Sequence, residues 1–212
     1  MHNKSLAEAI AAVDRASTTQ ALIQATQKLI QLNDIHAAPK LMEIIGFNNP
    51  APAAMAVTGI TQLGPEVTTT IIRHLDAKNY GARAWAVRAL AVLGDARGLN
   101  VLEHALASDI GPSVRRAAAI GLGDLKLSGD PDLAEQQQAC CLNGLIQAAA
   151  DGEWVVRYAV SAALEHRLQH ANTEHDLFDL GRRTLERLSG DTEDVMVVRR
   201  RALLALLRLS PP

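Results

Sequence analysis

The sequence predicts an all-α fold, an α-solenoid in which helical hairpins stack into a curved superhelix. Apolar residues recur at helical spacing, for example at Leu22, Ala25 and Leu29, and alternating strand patterns are nearly absent. The segments NYGARAWAVRALAVLGD at 79–95 and DIGPSVRRAAAIGLGD at 109–124 resemble each other, which indicates an internal repeat. A single hairpin of this kind cannot bury its apolar face alone, so the repeats must stack on their neighbours.

Aligning the recurring pattern gives five repeat units. The aligned positions are 30, 29, 41 and 43 residues apart, so the last two units carry insertions. The residues placed in register are Met55, Trp85, Val114, Val155 and Val198.

Proline and glycine mark the predicted helix boundaries. Pro50 and Pro112 stand at expected first helical positions, where the fixed φ and missing N–H of proline are tolerated. Gly64, Gly94 and Gly123 follow apolar runs, where a helix C-terminus often adopts the left-handed conformation. The predicted helices lie near 5–15, 18–32, 35–46, 51–63, 66–76, 82–93, 97–107, 112–122, 131–149, 153–168, 174–188 and 194–209.

We expect the whole chain, 1–212, to form a single repeat domain. In this prediction N-terminal capping helices occupy about 1–46, repeats occupy about 47–190, and a C-terminal capping helix occupies about 191–212. A chain of 212 residues with 48% hydrophobic residues is long and apolar enough for a continuous buried core.

Composition and charge argue against several classes of function. A formal charge of −2 provides no cationic field for nucleic acid, which also argues against a repeat-type DNA repair enzyme. The N-terminal residues lack the apolar run of a secretory signal, and three prolines interrupt the uncharged segment 44–65, so no membrane insertion is expected. Cys140 and Cys141 are adjacent, which suits neither a stabilising disulfide nor a metal cage. We therefore expect a reducing, cytoplasmic location.

Four strings carry a more specific resemblance: GFNNPAPAAMAV at 46–57, NYGARAWAVRALAVLGD at 79–95, SVRRAAAIGLGDL at 113–125 and DGEWVVRYAVSAALE at 151–165. In these strings the chain resembles the F-type (beta) subunit of the cyanobacterial E/F heterodimeric phycocyanobilin lyases, which are HEAT-like repeat proteins. The resemblance implies a bilin lyase of the carbon–sulfur lyase class that is active with an E-type partner subunit. It also implies that phycocyanobilin, an open-chain tetrapyrrole, is bound as a substrate without a further cofactor. The bilin would be attached through a thioether to a cysteine of the phycocyanin alpha subunit, the acceptor.

Alternatives to this function stay open at the level of sequence. A HEAT-like architecture by itself names no activity, so a non-enzymatic interaction adaptor or a phycobilisome assembly factor is the alternative. A related lyase branch joins isomerisation to attachment and carries the motif Asn-His-Cys-Gln-Gly-Asn. The comparable string here, ACCLNG at 139–144, departs from that motif, which favours plain attachment. Phycoerythrobilin remains an alternative substrate.

Two clusters combine aromatic rings with arginines, which suits a bilin. A bilin carries two propionates and flat conjugated rings, which arginine and aromatic side chains bind. The predicted bilin-binding residues are Tyr80, Arg83, Trp85, Arg88, Trp154, Arg157 and Tyr158. For Trp85 the alternative is a core position, and for Arg157 it is an ion pair with an adjacent repeat.

No catalytic residue of this chain is predicted, because the nucleophilic thiol belongs to the acceptor protein. Cys140 and Cys141 are expected to be buried small hydrophobes rather than carriers of a transient thioether. Asp95 and Asp124 are expected to cap the next helix rather than to hold pyrrole N–H groups. Three histidines are expected to form a surface cluster rather than a metal site: His166, His170 and His175.

The C-terminal run VVRRRALLALLRL at 197–209 predicts a docking surface, because it places arginines beside a leucine stripe. The residues predicted to bind a partner are Arg199, Arg200 and Arg201. The partner is either the E-type subunit or the acidic phycobiliprotein. A capping helix with a solvated face is the structural alternative.

Overall fold

The computed structural model describes residues 2–47, 49–76, 78–170 and 176–210. These residues form helices and no strand, apart from an isolated bridge between Asp95 and Lys126, so the all-α prediction is confirmed. Twelve α-helices are described: α1 (His2–Asp14), α2 (Thr19–Gln31), α3 (Ala38–Gly46), α4 (Pro50–Gln62), α5 (Thr68–Arg73), α6 (Tyr80–Leu93), α7 (Leu99–Ser108), α8 (Pro112–Asp124), α9 (Pro131–Ala148), α10 (Trp154–Gln169), α11 (Asp176–Ser189) and α12 (Met196–Leu209).

The predicted helices agree with these bounds to within a few residues. The differences reach three residues, at the starts of α1 and α3 and at the end of α5. Short 3-10 turns precede three of the helices, at Ile35–Ala37, Pro65–Val67 and Ala96–Gly98. Each of these turns contains a buried residue and runs directly into the helix that follows, so the sequence pattern merges the two. Among the helices described here, none is long and apolar enough to cross a membrane.

The chain divides into two compact units, an N-terminal unit over Met1–Leu93 and a C-terminal unit over Gly94–Pro212. In the N-terminal unit α4 packs between α2 and α6, and α3 packs against α4, α5 and α6. In the C-terminal unit α10 packs between α8 and α12 as one layer, while α9 packs against α7 and α11 as a second layer. Each unit is thus built from stacked helical hairpins. The predicted single domain over 1–212 stays a prediction.

The hydrogen bonds at the helix starts show which residues of the repeats are equivalent, and this alignment differs from the predicted one. The amides of Arg115, Arg157 and Arg199 each donate to the carbonyl four residues earlier, and Arg83 does the same in the N-terminal unit. These arginines therefore occupy position 4 of α8, α10, α12 and α6, counted from the first residue of each helix. Of the five residues predicted to be in register, Val114 and Val198 lie at position 3, whereas Val155 lies at position 2 and Met55 and Trp85 lie at position 6, so the predicted register is wrong for these three.

The register error comes from the glycines. Gly64 and Gly94 follow helices with positive φ, 86° and 59°, where glycine is favoured, although ψ of −175° places Gly64 outside the predicted left-handed helical region. The prediction for Gly123 is wrong, because this residue lies inside α8. A Cβ there would lie 2.8 Å from the Cα of Ala163, so glycine lets α8 and α10 approach closely. The buried Arg167 of α10 then donates from Nε to the Gly123 carbonyl at 2.7 Å.

Candidate functional site

A ladder of arginine–carboxylate pairs connects successive repeats of the C-terminal unit. Arg115 donates from Nε and Nη2 to the two carboxylate oxygens of Asp151, at 2.7 and 2.9 Å. One repeat later, Arg157 donates in the same way to Glu193, at 2.7 and 2.6 Å. Both arginines also donate to a backbone carbonyl, that of Asp109 or Asp151. Position 4 of these helices is therefore used to join repeats.

The ladder shifts the pKa values of its members. Hydrogen bonds from Arg157 lower the pKa of Glu193, and hydrogen bonds to Glu193 raise the pKa of Arg157. Burial is the largest influence on Asp151 and raises its pKa, but the hydrogen bonds from Arg115 and the Glu153 amide, together with the charges of Arg115 and Arg157, outweigh burial and lower the pKa of that carboxyl. The ladder explains the position of the Arg157 side chain without a bound bilin. This agrees with the alternative prediction, an ion pair of Arg157 with an adjacent repeat. Its inclusion in the bilin-binding set stays a prediction.

The first-layer helices α8, α10 and α12 present one shared face to the outside, which we call the outer face. On α10 this face carries residues spaced four apart, at positions 1, 5, 9 and 13, because residues i and i+4 lie above one another on a helix. Trp154 and Tyr158 are 45% and 36% exposed, which is unusual for large aromatic side chains. The residues of the outer face are Arg116, Ile120 and Asp124 on α8, Trp154, Tyr158, Ala162 and His166 on α10, and Met196, Arg200, Leu204 and Arg208 on α12.

One end of the outer face holds two arginines level with Tyr158. Arg116 and Arg200 occupy position 5 of α8 and α12, on either side of α10. Both are exposed, and neither makes an ion pair with a residue in the described part of the chain. Two cationic side chains thus flank the exposed aromatic rings of α10.

The other end holds paired charges. The Nδ1 atom of His166 is buried and lies 2.8 Å from Oδ1 of Asp124, but the angles are not those of a hydrogen bond. The buried carboxylate of Glu165 pairs with Arg201 at 2.6 Å and accepts a hydrogen bond from Arg208 at 3.1 Å. Asp124 is the last residue of α8 and lies beside His166. The prediction that Asp124 caps the following helix is wrong, because Asp130 caps α9.

The aromatic cluster of the N-terminal unit is arranged differently. The Arg88 guanidinium lies over the Trp85 ring at 4.8 Å, and that of Arg83 lies 5.7 Å from the centroid of the Tyr80 ring. Trp85 is half-buried, whereas Tyr80 is 46% exposed. All four residues belong to α6, so here each arginine covers an aromatic ring of its own helix.

The predicted partner-binding arginines separate into paired and unpaired residues. Arg201 is largely covered and pairs with Glu165 inside the unit, while Arg199 lies 3.5 Å from Asp191. Arg200 is the exposed member with no ion pair to a described residue. A partner-binding role of these arginines stays a prediction.

The remaining candidates have structural roles. Asp95 caps the turn at Ala96–Gly98 through the Arg97 amide, which confirms it as a capping residue. Cys141 is fully buried, and burial raises the pKa of its thiol to about 11, whereas Cys140 is half-buried. In the described residues no three His, Cys, Asp or Glu side chains form a group suited to a metal, and His175 lies outside these residues.

A cavity of about 590 Å³ in the N-terminal unit is a second concave feature. Lys40, His36 and His74 are among its lining residues. The Lys40 ammonium pairs with Asp14 at 2.8 Å and Glu43 at 2.5 Å, so its charge is already balanced. The cavity is therefore a less favourable site for a propionate than the outer face, where Arg116 and Arg200 make no ion pair with a described residue.

Sequence reasoning missed Arg116 and the pair of His166 with Asp124. The signal for His166 was present, because Trp154, Tyr158 and His166 share a four-residue spacing. Asp124 was not identifiable as its partner, since the two residues are brought together only by the correct register of α8 on α10.

The fold and the repeat ladder define the class: an α-helical protein of stacked HEAT repeats. The sequence model of the HEAT repeat family matches residues 38–123. The chain is 47% identical to "Bilin biosynthesis protein RpcF" of Synechococcus sp. WH8020, over 99% of each chain. It is 41% identical to "Phycocyanobilin lyase subunit beta" of Thermosynechococcus vestitus, over 94% of this chain and 93% of that one. Among solved structures, it matches a chain of the complex of CpcE and CpcF of phycocyanin lyase from Nostoc sp. PCC7120. That match has a TM-score of 0.71 and 38% identity, over 81% of this chain and 99% of the other.

These relatives identify the chain more narrowly than its repeats do. The chain belongs to the phycocyanobilin lyase beta subunit family, as the resemblance in its sequence predicted.

Proposed function

We propose that this chain is the beta subunit of a heterodimeric bilin lyase. The enzyme binds phycocyanobilin and promotes its thioether attachment to a cysteine of the phycocyanin alpha subunit. The observation that carries the proposal is similarity along the whole chain to proteins named as lyase beta subunits, at 41% identity over 201 residues in one case. The adaptor alternative has no comparable support.

The partner in this proposal is an E-type lyase subunit. A relative with 38% identity was solved as a complex of CpcE and CpcF, which supports a heterodimer. The acceptor is the phycocyanin alpha subunit, because one relative is named "Phycocyanin alpha phycocyanobilin lyase CpcF". We place the reaction in the cyanobacterial cytoplasm, with the bilin as substrate and no separate cofactor.

The residues of the chain bind and orient in this reaction. Exposed aromatic rings such as Trp154 and Tyr158 offer flat apolar surface to the conjugated system, and arginines offer paired donors to the propionates. The thioether forms when the acceptor's thiol adds across the ethylidene group of ring A. The fully buried Cys141, with its raised pKa, is unsuited to act as a nucleophile in place of that thiol.

Reconstitution tests the proposal. The chain, an E-type subunit and phycocyanin alpha subunit are produced together in cells that make phycocyanobilin. We expect pigment on the alpha subunit that survives denaturation and is visible as fluorescence in a denaturing gel. A matched preparation without this chain controls for spontaneous attachment. Pigment at the same level in both preparations would identify the chain as an adaptor or assembly factor.

A further inference from the structure

The first-layer helices of the C-terminal unit pack on one another through a row of residues at positions 4, 8 and 12. The residues of this row are Arg115, Ala119 and Gly123 on α8, and Arg157, Ser161 and Glu165 on α10. Those at positions 8 and 12 are buried, and the arginines at position 4 bind carboxylates 36 residues later in the chain. Glu165, for example, pairs with Arg201 and Arg208 of α12. The row is therefore the contact surface between one repeat and the next.

Helix α12 carries the same row, but no helix follows it in the described part of the chain. We call this row the end row; its residues are Arg199, Leu203 and Leu207. Leu203 and Leu207 are 50% and 65% exposed, whereas their counterparts Ser161 and Glu165 are buried. A terminal repeat that only caps a stack needs a polar outer face. The end row therefore differs from the solvated face of a capping helix, the alternative that the sequence left open.

Arg199 lacks the carboxylate that the equivalent arginines bind. Arg115 and Arg157 each donate from Nε and Nη2 to both oxygens of one carboxylate. That carboxylate lies in the turn before the next first-layer helix, as Glu193 does before α12. The Arg199 guanidinium lies 3.5 Å from the fully exposed Asp191, which is too long for a good hydrogen bond. Arg199 is therefore able to bind a carboxylate of another molecule.

We propose that the end row is the docking surface for the acceptor, the phycocyanin alpha subunit. A helix of the acceptor packs on Leu203 and Leu207 as a further repeat would, and a carboxylate before that helix binds Arg199 as in the ladder. The proposal rests on the proposed function for the identity of the acceptor. The end row is distinct from the outer face, because successive positions of a helix point about 100° apart.

The size of the end row favours the acceptor over the E-type subunit. One face of a helix of 14 residues is about 21 Å long and about 10 Å wide, which gives roughly 200 Å². A stable complex buries about 800 Å² on each partner, and smaller contacts suit transient encounters. The acceptor leaves after each attachment, so a small surface suits it better than it suits a permanent subunit.

A second copy of this chain does not supply the missing charge. Two copies related by a twofold axis present the same row to each other. With parallel helices Arg199 would face Arg199, and with antiparallel helices centred on Leu203 it would face Leu207. Neither arrangement brings a carboxylate of the row to the guanidinium, so an acidic partner fits better.

Attachment kinetics test the two leucines. The complex with the E-type subunit is saturated with phycocyanobilin, and the concentration of the alpha subunit is varied. Leu203→Ser/Leu207→Ser is expected to raise KM for the alpha subunit by about tenfold and to leave kcat within about twofold, because the leucines contact the acceptor away from the reacting atoms. The control Leu180→Ser replaces a leucine of α11 that is 44% exposed and lies outside the row, so it should change neither quantity.

Salt dependence tests the charge of Arg199. In the wild type KM for the alpha subunit should rise about threefold between about 50 mM and about 500 mM NaCl, because salt screens the ion pair. Arg199→Gln should have the higher KM at both concentrations. Arg182 is a matched control, since it also lies 3.5 Å from one exposed carboxylate, that of Glu186 on its own helix. Arg182→Gln should keep the wild-type salt dependence.

Binding of the alpha subunit without bilin separates this proposal from the proposed function. If the wild-type complex attaches no pigment, the proposed function fails, and calorimetric titration with unpigmented alpha subunit still tests the end row. About tenfold weaker binding by Leu203→Ser/Leu207→Ser would support the docking surface in that case. Unchanged KM and unchanged Kd in this variant would overturn the docking surface, even with full pigment attachment.

Two other results would overturn the choice of occupant. If Leu203→Ser/Leu207→Ser no longer co-purifies with the E-type subunit, the end row binds that subunit. If ultracentrifugation shows a dimer of this chain that the double variant abolishes, the end row binds a second copy. Should the double variant unfold at a lower temperature than Leu180→Ser, the salt dependence of Arg199→Gln, which keeps both leucines, decides the question.

Discussion

Helices α6 and α10 carry the same combination of residue types, yet the structure uses them differently. Both helices have an aromatic residue at position 1 and an arginine at position 4. On α6 the arginines lie over the rings of Trp85 and Tyr80. On α10 the position-4 arginine is held by Glu193, and the rings of Trp154 and Tyr158 stay exposed.

The difference shows that composition alone does not define a ligand site. A ring that an arginine of its own helix covers has part of its surface already occupied. A ring that is exposed beside arginines of neighbouring helices has both its surface and those charges available to a ligand. The α10 region therefore leaves rings and neighbouring charges available to a ligand that the α6 region does not, although the sequence places both in the same predicted set of bilin-binding residues.

The largest expected effect comes from breaking the ladder at α10. Arg157→Met would leave Glu193 buried without its partner, which should lower the free energy of unfolding by about 3 kcal/mol. Arg116→Met, an equal change at an exposed position of α8, should alter it by less than about 0.5 kcal/mol. Urea unfolding of both variants measures the difference. If Arg157→Met keeps full stability but loses bilin binding, Arg157 belongs to the bilin site after all.

Substitution of Trp85 should mainly lower stability, whereas substitution of Trp154 should mainly lower the attachment activity. Trp85→Ala removes a half-buried ring and its contact with Arg88, so we expect a loss of about 2 kcal/mol. Trp154→Ala removes an exposed ring and should change stability by less than about 1 kcal/mol while lowering attachment strongly. Thermal unfolding and attachment rates are measured on the same preparations. Equal loss of stability in both variants would contradict the distinction between the two regions.

Acid should affect the C-terminal unit before the N-terminal unit. Asp151 and Glu193 have folded-state pKa values below their ordinary 3.8 and 4.5, so the stability they contribute is full above those values. It is lost as the pH falls through the lower folded-state values. In the N-terminal unit Lys40 has a raised pKa. Burial of Lys40 opposes this shift, but hydrogen bonds with Asp14 and Glu43 outweigh it, and the contribution is lost only above pH 10.5.

Amide hydrogen exchange can measure the acid sensitivity of the two units separately. Protection factors for amides of α8, α10 and α12 should fall more between pH 7 and pH 3 than those of α2 and α4. In Arg157→Met the loss of protection that comes from protonating Glu193 should disappear, because burial without the arginine favours the neutral carboxyl. A uniform loss of protection over both units would show that the ladder does not dominate acid sensitivity.

Much of this structure could be predicted from the sequence, because helical periodicity and the glycines at 64 and 94 are local signals. The register could not, since Gly123 looks like a helix end in sequence but lies inside α8 against Ala163. The acids of the ladder were hidden for a related reason. Glu193 lies 36 residues after Arg157, beyond an inserted segment, so only the fold shows that the two residues meet.

The smallest effect is expected from the cysteines, and it tests whether the α10 region uses a thiol of its own. Cys141 lies on α9, which packs against α10, and its thiol is fully buried with a pKa of about 11. At pH 8 only about one such thiol in a thousand is ionised, so it should resist alkylation in the native state. Cys141→Ala should therefore attach bilin at the wild-type rate, with a modest loss of stability of about 1 kcal/mol from the removed sulfur. The half-buried Cys140 serves as the comparison in the same alkylation experiment. Mass spectrometry that finds bilin on Cys141 during turnover would mean that the pigment passes through this chain. In that case the exposed rings of α10 would be expected to bind the bilin before that transfer.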